Sequence, residues 1–288
     1  MLAKVLTPTI VKSFIPARRN LSRKGENGKV LVIGGSYLYH GAPILSSLAA
    51  LRSGTDLVYT CVPKINVSAT RAYSPNLIVV PLVDVKLTRG SVQKLLGIIP
   101  KEIDSTTIGM GLGIQDKEAL KILIKSLLDR SVMISLDAST LIPEILSEIQ
   151  DKNCVVTPHA GEFKRLFGEL PTDNIKQRTV MVEKYAKKNK VTVLLKGPTD
   201  IVSNGSQTYL NPKNITAMTV GGTGDVLSGI TAAMLAKNKN PLEAASAAVY
   251  INGRSGYLAQ KKHGLHIVAT DLLEFISQVM KPFDKVKN

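Results

Sequence analysis

The chain has 288 residues, 44% of them hydrophobic, so it can bury a sizeable core and is not a disordered chain. Its 37 Lys and Arg against 22 Asp and Glu give a formal net charge of +15, which points to anionic partners: nucleic acid, membrane surface or phosphorylated small molecules. Most lysines lie singly or in pairs and read as a solvated surface. Aromatics are 5% with no Trp, and no zinc-finger or RNA-recognition signature occurs, which speaks against nucleic acid.

The N-terminal stretch carries Thr7-Pro8 and Pro16 between short apolar pieces and predicts a short helix over Thr9–Phe14, then a basic loop. It has no apolar signal core. Lys29–Ile33 is an unbroken apolar run ending at Gly34-Gly35-Ser36, the pattern of a central strand buried on both faces. Gly41-Ala42-Pro43 opens a helix, Ile44–Arg52, with proline suited to the first turn. Strands follow at Asp56–Val62 and Leu77–Leu82. Thr106–Ile108 leads into a second glycine-rich turn, Gly109–Gly113, and a helix over Lys117–Leu128.

Val132–Leu136 is a strand ending at Asp137, and Cys154–Val156 one ending at Thr157-Pro158-His159-Ala160-Gly161-Glu162. Two helices follow, the first to Phe167 and the second over Asn174–Asn189. Val191–Leu195 ends at Lys196-Gly197. Asn204-Gly205, between Ile201-Val202 and Gln207–Leu210, marks a hairpin. Helices over Pro241–Gln260 and Thr270–Met280 close the chain, ahead of a polar tail expected to fray. Strands alternating with helices predict a single α/β domain over residues 1–288, a mostly parallel sheet with helices on both faces. Cys61 and Cys154 read as buried thiols, and no stretch is long enough to span a membrane, so a cytoplasmic protein is expected.

The chemistry concentrates in Gly221-Gly222-Thr223-Gly224-Asp225, which runs into the apolar stretch Val226–Leu235. This is a glycine-rich turn feeding a helix whose first amide N–H groups have no partner and attract an anion. A carboxylate at that mouth would repel phosphate unless it accepts a proton from the attacking hydroxyl. The competing role for Asp225 is a helix cap. The other special residues fall at strand ends, where ligands gather in such sheets. Lys196 is either a phosphate contact or an ordinary strand-end lysine. His159 is a ligand contact or part of a helix start, and Asp137 a cap or a water or Mg²⁺ contact. His40, His263 and His266 show no metal-ligand spacing.

Together these motifs resemble the ribokinase-like superfamily, and within it the ADP/ATP-dependent NAD(P)H-hydrate dehydratases, in a stand-alone form without the epimerase domain. The carriers are Lys24-Gly25, Gly28–Ser36, Gly41-Ala42, Gly109–Gly113, Thr157–Glu162, Leu195–Gly197 and Gly221–Asp225. The chain departs from the family pattern at Met110, where proline is usual, and at Thr199-Asp200, where a threonine is usual one place later. The resemblance implies a three-layer ribokinase-like fold, a homotetramer, and repair of hydrated NADH or NADPH at the expense of ADP or ATP with Mg²⁺. It implies Asp225 as catalytic base and Gly222, Thr223 and Gly224 as anion hole. Ala42, Gly111, His159 and Asp225 would contact the hydrate. Lys196, Gly197, Pro198, Thr199, Asp200 and Gly224 would bind the nucleotide. No metal ligand among the residues is assigned. The alternatives are a vitamin-precursor kinase of the same fold and a non-catalytic nucleotide sensor.

Overall fold

The computed structural model describes residues 3–213 and 215–287. Its strands are β1 (Lys4–Val5), β2 (Arg18–Arg19), β3 (Lys29–Ile33), β4 (Leu57–Pro63), β5 (Ile78–Leu82), β6 (Ser105–Ile108), β7 (Met133–Leu136), β8 (Cys154–Val156), β9 (Thr192–Leu195), β10 (Thr199–Ser203), β11 (Thr208–Pro212) and β12 (Val286–Lys287). The helices are α1 (Pro8–Phe14), α2 (Gly41–Arg52), α3 (Val67–Tyr73), α4 (Arg89–Ile98), α5 (Lys117–Asp129), α6 (Leu146–Ile149), α7 (Ala160–Phe167), α8 (Ile175–Asn189), α9 (Thr223–Lys237), α10 (Pro241–His263) and α11 (Ala269–Met280).

Ten strands form one sheet in the order β1-β11-β10-β9-β8-β7-β6-β3-β4-β5. From β9 to β5 every neighbouring pair is parallel, while β10 runs antiparallel to both β9 and β11. Successive strand side chains point to opposite faces. Val30 and Val32 of β3 therefore join one apolar layer with α1, α2, α9, α10 and α11, and Leu31 and Ile33 join the other with α4, α5, α7 and α8. The result is the expected three-layer sandwich. No helix among the described residues is long and apolar enough to cross a membrane.

Several elements differ from the sequence reading. The helices α3, α4 and α6 and the short strands β1 and β2 were not expected; α4 is fixed by a reciprocal cap between Thr88 and Ser91, a signal that a Thr-x-x-Ser spacing carries only weakly. The tail is not frayed up to Lys287. Val286 and Lys287 pair in parallel with Arg18 and Arg19, and Asn20 N–H donates to the Lys287 carbonyl at 2.8 Å. The side chains are polar, but the pairing uses the main chain, which side-chain polarity does not report.

One packing detail positions everything that follows. Helices α2 and α9 cross where a Cβ on Gly229 would lie 1.9 Å from the Ser46 carbonyl oxygen, so only glycine permits the approach. Ser46 Oγ donates to the Asp225 carbonyl at 2.6 Å, tying α2 to the first turn of α9.

Candidate active site

Gly222 stands at φ +95°, in the left-handed region, and turns the chain into α9. The first hydrogen bond of the helix is Val226 N–H to the Gly222 carbonyl at 3.0 Å. The amides of Thr223, Gly224 and Asp225 stand ahead of it, unclaimed by the helix. The hydroxyl of Thr223 is turned inward to the carbonyls of Met218 and Val220, at 3.1 and 3.2 Å, so Thr223 offers its amide to an anion and uses its side chain to hold the turn.

Around this helix start the sheet edge delivers a charged cluster. Asp137, at the end of β7, is buried at 2% exposure. Its Oδ1 accepts from Lys196 Nζ at 2.8 Å and from Thr157 Oγ1 at 2.9 Å, and its Oδ2 from Ser228 Oγ at 2.5 Å. Asp137 is thus the counter-ion of Lys196, neither a cap nor a solvent contact. Lys196, at the end of β9, also lies 3.4 Å from Glu162 Oε2. Burial alone would raise the Asp137 carboxyl, but the Lys196 charge and the three hydrogen bonds hold it below the ordinary aspartate range. Burial alone would lower Lys196; its two carboxylates outweigh that and keep it charged.

Asp225 faces the opposite balance. Burial, reinforced by the negative charge of Asp137 and Glu162 and only partly opposed by Lys196, pushes its carboxyl up to about 7. Such a carboxyl is a base of near-neutral strength, suited to taking a proton at working pH. The base form exists only above that value. The expected rate profile therefore falls on the acid side with a midpoint near pH 7 in kcat/KM. A flat profile between pH 6 and 8 would count against Asp225 as the base.

His159 does two things. Its Nδ1 accepts the amides of Gly161 and Glu162, at 3.0 and 3.3 Å, and Glu162 Oε2 accepts the His159 amide at 2.9 Å. The histidine thus caps α7. Its ring also lines a cavity of about 560 Å³ together with Lys196, Gly197, Pro198, Thr223 and Gly224. Thr199 and Asp200 do not line it. Asp200 is buried at 1% exposure, accepts the Gly197 amide at 3.1 Å and pairs with Lys213 at 2.8 Å. It holds the Lys196–Thr199 loop from within.

Ala42 and Gly111 meet on another side. Ala42 stands one turn before Ser46, which is bonded to Asp225. A Cβ on Gly111, at φ +64°, would lie 3.5 Å from that of Ala42. Lys196, Gly197, Pro198 and Gly224 thus share one cavity wall with His159, while Gly111 lies beside Ala42, on the turn of α2 that leads to Ser46 and its bond to the Asp225 carbonyl. A second cavity, about 510 Å³, lies at the far end of α9 beside Lys237, and none of these residues lines it.

Residues 30–278 match the family model described as NAD(P)H-hydrate dehydratase. The chain belongs to the NAD(P)H-hydrate dehydratase family. It is 66% identical over 286 residues to the ADP-dependent (S)-NAD(P)H-hydrate dehydratase of Nitrosopumilus maritimus, covering 99% of this chain and all of that one. Among solved structures it is similar to the ADP/ATP-dependent NAD(P)H-hydrate dehydratase of Bacillus subtilis co-crystallised with ATP and Mg²⁺. That likeness has a TM-score of 0.84 at 26% identity, over 99% of this chain and all of that one. A ribokinase-like superfamily protein of Enterococcus faecalis follows with a TM-score of 0.80 at 25% identity, over 98% of this chain and 97% of that one. The fold is ribokinase-like, as the motifs implied.

Sequence reasoning gave four residues of this NAD(P)H-hydrate dehydratase family site no role in it. Thr157 stood among the residues carrying the resemblance and Ser228 within the apolar run, with no role assigned to either side chain, yet both donate to Asp137. Glu162 read as a helix-start residue and is also a partner of Lys196. Asn252, inside an alanine-rich helix, reaches the cavity wall. Its only signal in the sequence was a polar residue on an otherwise small and apolar helical face.

Proposed function

We propose that this protein restores NAD(P)H from its (S) hydrate, consuming a nucleoside diphosphate or triphosphate of adenine. The observation that carries the reading is Asp225, a half-buried carboxyl raised to about 7, set at the start of a helix whose first amides are unclaimed. A carboxylate at an anion site is unfavourable unless a proton-bearing group lies between it and the phosphate.

In this reading the hydroxyl at C6 of the hydrated ring gives its proton to Asp225 and attacks the terminal phosphoryl group. The bond from phosphorus to the nucleotide's bridging oxygen breaks as the new one forms. The amides of Thr223 and Gly224 hold the charge that develops on the phosphoryl oxygens. Hydroxide is a poor leaving group and phosphate a good one. The ring nitrogen's electron pair then expels phosphate, and loss of a ring proton restores the reduced nicotinamide. Lys196, held by Asp137 and Glu162, supplies a fixed positive charge beside Gly224, where a Cβ would lie 3.7 Å from its Nζ. Ala42, Gly111 and His159 contact the hydrate; Lys196, Gly197, Pro198 and Gly224 contact the nucleotide, with Thr199 and Asp200 shaping the loop.

Magnesium fits as a companion of the nucleotide. Among the described residues no group of three or more His, Cys, Asp or Glu is placed to hold a metal ion. Mg²⁺ is usually held by one or two carboxylates together with phosphate oxygens. Glu162 is the carboxylate that would hold it, since among the described residues its Oε1 has no polar partner closer than His159 Nε2, at 3.4 Å. When bound, the ion would screen the phosphate charge.

The test mixes the protein with NADH hydrate and ADP or ATP and follows the absorbance of the reduced ring. Recovery of that absorbance with release of inorganic phosphate is expected. No recovery with either nucleotide would overturn the reading, and phosphorylation of a thiazole or pyrimidine alcohol instead would favour the vitamin-precursor kinase.

A further inference from the structure

The cavity of about 510 Å³ at the far end of α9 has no part in the reaction, since Lys237 lies about 20 Å along the helix from Gly224. Five cations line it: Arg18, Arg52, Lys237, Lys281 and Lys285. Among the described residues none of the five has a carboxylate within 4 Å. Two carboxylates share the lining, Glu26 and Asp284, and Glu26 is already paired with Arg19 at 2.7 Å. Asp56, the other carboxylate near Lys237, accepts the amides of Gly25 and Asn27 at 2.8 and 3.1 Å.

Two of the cations converge on one point. Lys237 Nζ donates to the Ser53 carbonyl at 2.5 Å, and Arg18 Nη2 donates to that of Gly54. A Cβ on Gly54, at φ +84°, would lie 3.1 Å from Lys237 Nζ and 3.2 Å from Arg18 Nη2. Apart from Gly54 and its chain neighbours, no other heavy atom of the described residues lies within 4 Å of that point. The two carbonyls end α2, and a cation at a helix C-terminus is an ordinary cap. A cap needs one cation and one N–H. Here two cations each use one donor, out of three on an ammonium and five on a guanidinium. Burial, with the charge of Arg18 added and only partly opposed by Asp56 and Asp284, brings Lys237 down to about 8. Like charges held together at a half-buried point weaken the fold, and an anion between them relieves that repulsion.

Another part of the wall is apolar: Ile15, Pro16, Ala17, Met280 and Phe283. A cavity of this volume holds a molecule larger than a bare ion. We propose that it is a second anion site, taking the phosphate group of a phosphorylated small molecule between Lys237 and Arg18 and its organic part against the apolar wall. The proposal does not depend on the function proposed above.

The experiment is binding calorimetry at pH 8 with phenyl phosphate and with inorganic phosphate. The unaltered chain should bind phenyl phosphate about 10-fold more tightly, because the ring covers the apolar wall. Lys237→Met and Arg18→Gln should each weaken phenyl phosphate by about 10- to 100-fold, the range of a hydrogen bond to a charged group. The anion site at the start of α9 is unaltered in both variants, so the difference between chains reports this cavity alone. Near pH 8 Lys237 is about half protonated, and a bound anion favours the ammonium. Binding should therefore draw in up to about half a proton, read from the heats in two buffers of different ionisation enthalpy, and Lys237→Met should lose that uptake. The melting temperature of Lys237→Met at pH 7 should equal or exceed that of the unaltered chain, because a lysine held below its ordinary value weakens the fold most where it is charged, below about 8. Phenyl phosphate binding that neither variant weakens would overturn the proposal, as would no binding by the unaltered chain. Equal affinity for the two phosphates would overturn the role of the apolar wall. A fall in melting temperature in both variants with binding unchanged would leave Lys237 and Arg18 as caps of α2 and nothing more.

Discussion

Asp225→Asn is expected to lose a factor of about 10²–10⁴ in turnover, the loss typical of removing a general base, while still binding ADP. Asparagine keeps the shape at the mouth of α9 but cannot take a proton. The amides of Thr223 and Gly224 remain, so the anion site persists and calorimetry should show nucleotide affinity retained. It should not be a folding defect. A carboxyl whose native value is raised to about 7 from 3.8 stabilises the fold least when ionised. Its favourable contribution is complete below about 3.8 and is lost as pH rises through about 7. The variant's melting temperature at pH 8 should therefore equal or exceed that of the unaltered chain, a gain in stability bought with function. Undiminished turnover of the hydrate by Asp225→Asn would assign the proton transfer to another group.

The second large effect is expected at Asp137. Its carboxylate and Lys196 form a buried pair at 2.8 Å with further bonds from Thr157 and Ser228. Asp137→Asn leaves the Lys196 ammonium buried with Glu162 as its remaining carboxylate, at 3.4 Å. Breaking a buried pair by one member typically costs about 3–5 kcal/mol, and the surviving Glu162 contact holds the loss near the lower end. At about 2–4 °C per kcal/mol, the melting temperature should drop by about 6–12 °C. The same change removes the negative charge that contributes most to raising Asp225, so the acid limb of the rate profile should move to lower pH. Removing both charges, in Asp137→Asn with Lys196→Met, should recover part of the lost stability but not the activity. If Asp137→Asn alone melted like the unaltered chain, the ion pair would have no structural weight. A fixed acid limb would disconnect Asp137 from Asp225.

The strands were legible because a sheet buried on both faces writes itself as unbroken apolar runs; β3 and β8 begin and end where those runs do. The turn into α9 was legible because glycine has few other reasons to recur at that spacing. What the sequence hid was assembly. Lys196 and Asp137 are 59 residues apart, and neither residue's neighbours announce the other. Only the parallel order β7-β8-β9 sets their strand ends side by side, which periodicity does not report. Asn252 was hidden for a different reason: along an alanine-rich helix, one amide gives no sign of a cavity until the glycines beside it are seen to admit Lys213 and Met218. The helices α3, α4 and α6 went unread because each is short with a mixed polar sequence.

The order of the sheet also bears on how the chain is made. The outermost strand, β1, leaves the ribosome well before its partner β11, with which it pairs Lys4 beside Tyr209 and Val5 beside Leu210. Phe14 of α1 waits on the same partner, its ring edge-on to Tyr209 with centroids 5.5 Å apart. At roughly 5–20 residues per second of translation, the N-terminal segment stays unseated for about 10–40 s. This segment is made long before the strand it docks on, and through that interval its apolar side chains are open to chaperones and proteases.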